Sequence, residues 1–66
     1  MIVREFDMVR LKDGTIGSIA HVYKEGIAYY FEYRLTPASW ANRDIMHDEI
    51  GVVIINSTQL PTIVKE

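Results

Sequence analysis

Apolar and polar positions alternate through the first half of the chain with the period of two that a half-buried β-strand imposes. Residues 7–33, DMVRLKDGTIGSIAHVYKEGIAYYFEY, hold three such runs, separated by Asp13-Gly14 and Glu25-Gly26. A glycine at each break supplies the positive φ that a tight turn matched to strand twist requires, so the segment reads as a three-stranded antiparallel meander. Residues 1–12 are expected to form the first strand, with Val9 and Leu11 on one face and Asp7, Arg10 and Lys12 free to reach water. The second is expected over residues 15–24. Gly17 inside it marks a bulge, a bend or a close backbone approach. Ile19 and Val22 are three apart, which simple alternation cannot place on one face, so a bulge is expected near Ala20-His21. In the third run, residues 27–34, Tyr29, Phe31 and Tyr33 share the core face, and Ala28, Tyr30, Glu32 and Arg34 share the other.

The pattern breaks at residues 35–49. Thr36-Pro37 carries a helix start signal, with a hydroxyl at the cap and Pro at the first helical position. Ala38, Ala41 and Ile45 follow at helical spacing with Trp40 beside them, so the stretch is expected to be a short helix or an irregular loop. Residues 51–56 include Val52-Val53-Ile54-Ile55, a continuous apolar run that fits a strand covered on both sides. Residues 56–60 are polar and too short for an α-helix, which predicts a turn or a single 3₁₀ turn. Pro61 then opens a last short strand over 62–65.

Composition changes this picture in one respect. A chain of 66 residues with 48% hydrophobic content has more apolar surface than a domain of its size can bury, and it has no cysteine for disulfide or thiolate-metal reinforcement. Self-association is the remaining source of burial. The first residues, MIVREF, lack the apolar core of a signal peptide or a membrane span, so a soluble cytoplasmic protein is expected, with no membrane partner. A net charge of −2 supplies no long-range attraction to nucleic acid.

The pattern D-x-V-x-L…G-x-I-x-x-V-Y is carried here by residues 7–11 and 17–23. With Asp13-Gly14 and the polar linker 56–60, it resembles the SH3-like small β-barrel. Within that class it is similar to the KOW-type barrels of transcription and ribosomal proteins, and to the DUF4926 family of short bacterial proteins of unknown function. The resemblance implies an all-β fold: a five-stranded SH3-like barrel with a 15-residue insertion, residues 35–49, between the third and fourth strands. It implies no single activity, because such barrels host many. Plasmid-borne type II dihydrofolate reductase is also a short barrel of this kind, but its signature run is Val-Gln-Ile-Tyr. The matching Val52-Val53-Ile54-Ile55 has neither Gln nor Tyr, and that activity does not carry over.

The candidate chemistry is sparse. Asp44, His47, Asp48 and Glu49 could in principle supply metal ligands, but contiguous residues rarely converge on one ion and no second cluster completes the shell, so they read as a solvated acidic loop. His21 has no nucleophile placed to work with it. No catalytic residue, metal site or cofactor is therefore assigned. What remains is a non-enzymatic interaction module that binds a protein partner or itself through Trp40, Ile45, Met46, Val53, Ile55 and Tyr30. The alternative is a nucleic-acid-binding barrel of KOW type using Arg10, Lys12 and Lys24, with Asp13 and Glu25 interrupting the cations. A third class is an enzyme assembled at an oligomer pore, where polar residues of several subunits would converge on an axis.

Overall fold

The structure, a computed structural model, describes residues 1–57. It is all-β, with almost no helix. The described residues form five strands: β1 (Met8–Leu11), β2 (Ile16–Lys24), β3 (Ala28–Thr36), β4 (Ser39–Met46) and β5 (Ile50–Ile55). They form one antiparallel sheet in the order β4-β3-β2-β1-β5. The meander forms as the alternation predicts, with Gly14 at φ 96° and Gly26 at φ 75° in its two turns. The β2–β3 ladder skips a residue between Ile19 and His21, so the bulge falls at Ala20, where the phase of Ile19 and Val22 placed it. A second shift lies between Val22 and Lys24.

Val9, Leu11, Ile19, Tyr29, Phe31, Ile45 and Ile50 are buried together, joined by Val3 from the N-terminal segment. Tyr33, Val22 and Val53 pack against this cluster while partly exposed. Gly17 is a close approach. A Cβ there would collide with the Glu32 carbonyl oxygen and lie 2.7 Å from Phe31 Cζ and 2.9 Å from Tyr33 Cβ.

Four expectations are corrected. Residues 35–49 are not an insertion. They complete β3, turn, and form β4 and a 3₁₀ turn, His47–Glu49. The Thr36-Pro37 signal serves the hairpin instead of a helix. Ala38 N–H donates to Thr36 Oγ1 (3.2 Å), the Thr36 and Ser39 hydroxyls are hydrogen-bonded (2.8 Å), and Arg34 Nη1 donates to the Pro37 carbonyl (2.7 Å). A hydroxyl acceptor beside a fixed φ suits either use, and pairing along the whole length of β3 decides between them. Second, the first strand is only Met8–Leu11, and Asp7 is not free to reach water but 1% exposed. Third, Val52 and Ile54 remain exposed, so the β5 run is not covered on both sides among the described residues. Fourth, β4 and β5 are the two edges of the sheet among the described residues, which do not close it into a barrel. The strand expected over 62–65 and most of the turn expected over 56–60 lie outside the described residues.

The open sheet is nevertheless sharply bent. His47 N–H donates to the Ile27 carbonyl, and Lys12 N–H to the Glu49 carbonyl, each at 2.8 Å. By register these anchor points lie at opposite ends of β2, since Lys24 pairs with Ala28 and Ile16 with Arg10. A straight β2 would separate them by about 26 Å. The chain from Met46 to Ile50 spans at most about 14 Å. The bend belongs at the Ala20 bulge, where β2 leaves one half of the sheet and enters the other.

Candidate functional site

The sheet surface opposite the core presents its side chains in ordered rows. The registers place Arg34 beside Trp40, Glu32 between Ser18 and Asn42, Tyr30 between His21 and Asp44, and Ala28 between Lys24 and Met46. Paired residues share a face, so these side chains form rows on the outer surface. Arg34 stacks its guanidinium 4.5 Å from the Trp40 ring centre, and Trp40 is still 60% exposed. Tyr23 meets His21 and Tyr30 edge-on, with centroids 5.5 Å and 6.3 Å apart, and donates a 2.7 Å hydrogen bond to Asp44 Oδ1. That bond to Asp44 holds the Tyr23 hydroxyl proton above its ordinary range, with desolvation a smaller contribution. The face is therefore aromatic and of mixed charge, not basic.

Of the six residues expected to bind a partner, Trp40, Tyr30 and Met46 lie on this face, Trp40 and Met46 exposed and Tyr30 half-buried. Ile45 does not. It is 1% exposed in the core, because alternation along β4 turns it inward beside Tyr29. Val53 and Ile55 are half-buried opposite Val9 and Met8, and the exposed apolar residues of β5 are Val52 and Ile54. Arg10, Lys12 and Lys24 do not gather. Arg10 pairs with Ile16 and Lys24 lies at the other end of β2, while Lys12 adjoins Asp13 and a cleft shared with Asp48 and Glu49.

Two shallow clefts flank the 3₁₀ turn. One, about 280 Å³, is lined by Leu11, Lys12, Asp13, Asp48 and Glu49; the other, about 340 Å³, by Gly26, Ile27, Met46, His47 and Asp48. Arg43 spans the first side, 3.4 Å from Asp13 and 3.7 Å from Glu49. The Thr15 backbone N–H, 2.9 Å from Asp13 Oδ1, lowers the Asp13 pKa more than Arg43 does. Asp44, His47 and Glu49 engage Tyr23, Tyr29 and Arg43 respectively, and the described residues contain no group of three His, Cys, Asp or Glu side chains arranged to hold a metal ion.

Tyr29 connects the core to this turn. Its ring is fully buried, and its hydroxyl lies 2.6 Å from His47 Nδ1. Burial raises its pKa above the ordinary 10.0, the Gly26 backbone N–H opposes that, and the Glu25 charge adds to it. A tyrosine proton held more tightly in the folded state stabilises the fold below the ordinary value. That contribution is lost as pH rises through the folded value. Wild type is therefore expected to lose stability above pH 10 more steeply than Tyr29→Phe, read as urea midpoints between pH 8 and 11. Parallel curves would show that Tyr29 does not carry the alkaline limb.

Sequence reasoning missed the N-terminal segment. Phe6 sits at φ 73° in a turn closed by Asp7 N–H on the Arg4 carbonyl (3.1 Å), and its ring is 60% exposed. A bulky residue in the left-handed region is strained, yet nothing local in the sequence signals it. Exposed Met1 and Ile2 precede it, and Leu35 and Ile16 are exposed near the β3–β4 end of the sheet.

No helix among the described residues is long and apolar enough to cross a membrane. No family model, no curated protein and no solved structure matches this chain.

Proposed function

We propose that this chain is a non-enzymatic interaction module of SH3-like type that binds a protein, in the first instance a second copy of itself. One observation carries the reading. Among the described residues the large apolar side chains left exposed, Met1, Ile2, Phe6, Ile16, Tyr23, Ile27, Leu35, Trp40, Met46, Val52 and Ile54, outnumber the buried hydrophobic ones. Single exposed apolar residues are ordinary, but an excess over the core in so small a domain marks a surface that is covered in use. The SH3-like assignment is supported by the meander, the bend at Ala20 and a single 3₁₀ turn between the edge strands. The mixed charge of the outer face and the dispersal of Arg10, Lys12 and Lys24 favour protein over nucleic acid.

The test is absolute mass by light scattering behind a sizing column, for wild type and Trp40→Ala, with circular dichroism on both. Wild type is expected at or above twice the 7.6 kDa chain mass, and the still-folded variant at a lower mass. A wild type that stays at 7.6 kDa at every concentration overturns self-binding.

A further inference from the structure

The two edges of the sheet differ in how they are protected. β5 meets β1 through a ladder shifted between Met8 and Val9 and again between Arg10 and Leu11, and such bulges twist an edge away from further pairing. β4 is regular. Its pairs with β3 run from Ala28 with Met46 to Arg34 with Trp40 without a shift, and its outer edge carries no strand among the described residues. It contains no Pro or Lys, and its charges are an adjacent opposite pair, Arg43 and Asp44. An edge that the described residues leave open presents a row of backbone donors and acceptors, which specifies its occupant chemically: another β-strand.

Charge decides which strand and in which register. A two-fold axis perpendicular to the sheet preserves faces, so it must pass through a residue and not between two. An axis at Arg43 sets two guanidinium groups opposite each other, and an axis at Asp44 sets two carboxylates opposite each other. An axis at Asn42 pairs 39–45 of each copy. Asn42 then faces Asn42 of the second copy, Arg43 faces Ala41, Asp44 faces Trp40 and Ile45 faces Ser39. An axis at Ala41 also separates like charges but pairs only 39–43. The Asn42 register is the longest without a like-charge pair. It also places the exposed Trp40 indole N–H opposite the Asp44 carboxylate, which has acceptor capacity beyond its bond from Tyr23.

We propose that a second copy of this chain pairs antiparallel with β4 about a two-fold axis through Asn42, joining two five-stranded sheets into one. This rests on the self-binding reading above and names its surface and register. Asn42 is exposed, so substitutions there report on the interface with little effect on the fold. Asn42→Asp and Asn42→Lys each place like charges across the axis and are expected to weaken the dimer about fivefold or more, while an equimolar mixture of the two restores it. Because the chain has no cysteine, Asn42→Cys provides a second readout. It is expected to form a covalent dimer under mild oxidation far faster than Asp48→Cys, placed on the exposed 3₁₀ turn. A monomeric wild type overturns both this proposal and self-binding. A dimeric wild type whose folded Asn42→Asp variant keeps its mass, with Asn42→Cys crosslinking no faster than Asp48→Cys, overturns the β4 interface alone and leaves self-binding standing.

Discussion

Asp7→Ala is expected to lower unfolding free energy by about 3 kcal/mol, a large fraction of what a domain of this size has to lose. The carboxylate is 1% exposed and accepts two backbone hydrogen bonds, from Arg4 N–H at 2.8 Å and from Ser57 N–H at 2.6 Å. Its own backbone donates to the Arg4 carbonyl and accepts from Ile19 N–H at 2.9 Å. One residue thus ties the N-terminal turn, β2 and the segment after β5. Alanine leaves two part-buried N–H groups without their acceptors, at about 1–3 kcal/mol each where water does not replace the carboxylate. Asn keeps one acceptor but aims an amide donor at a donor, so Asp7→Asn is expected to recover less than half of the loss. Urea unfolding followed by circular dichroism reads both, provided the m-value is unchanged. A loss under about 1 kcal/mol for Asp7→Ala would mean that water reaches these N–H groups and that the tie is dispensable.

Gly17→Ala is the second large effect, with an expected cost of about 2–3 kcal/mol and more for Gly17→Val. Gly17 pairs with Val9 on one side and Tyr33 on the other, beneath the Phe31 ring. The added methyl meets the Glu32 carbonyl oxygen, and backbone held between two ladders cannot move aside as a flexible side chain would. Phe31 and Tyr33, stacked with centroids 5.7 Å apart, would shift with it. Lower backbone entropy in the unfolded state returns about 0.4–1 kcal/mol, which does not offset the collision. Gly51→Ala is the control, because the nearest atom to its Cβ is the Arg10 carbonyl oxygen at 3.1 Å and the residue is exposed. Equal midpoints for the Gly17 and Gly51 variants would show that the sheet opens at Gly17 at little cost. The two predictions probe different bonds of the same junction, where β1, β2 and the N-terminal turn meet.

Residues 39–46 show most clearly where sequence reading stops. Ala38, Ala41 and Ile45 have helical spacing, while Ala41, Arg43 and Ile45 have strand spacing with a charge in the middle. That charge conceals the strand. In the folded chain Arg43 sits at the sheet margin, held by Glu49 beyond the end of its strand and by Asp13, thirty positions earlier. The candidate face was half legible for the same reason. Trp40, Tyr30 and Met46 could be named, but Ile45 belongs inside once β4 is a strand, and β5 exposes Val52 and Ile54 in place of Val53 and Ile55. Asp7 reads as an ordinary polar residue beside a strand, and only the arrival of Ser57, fifty positions later, encloses it.

By itself the sequence determined the meander: three alternating runs, two glycine turns and the bulge at Ala20, each set by interactions within a few residues. The tertiary structure alone decided that 39–46 pairs with β3, that the sheet bends until His47–Glu49 can bridge its two ends, and that Asp7 is buried. Those outcomes depend on backbone groups finding partners across the whole chain, and a residue's nearest neighbours carry no record of which distant N–H or carbonyl will need one.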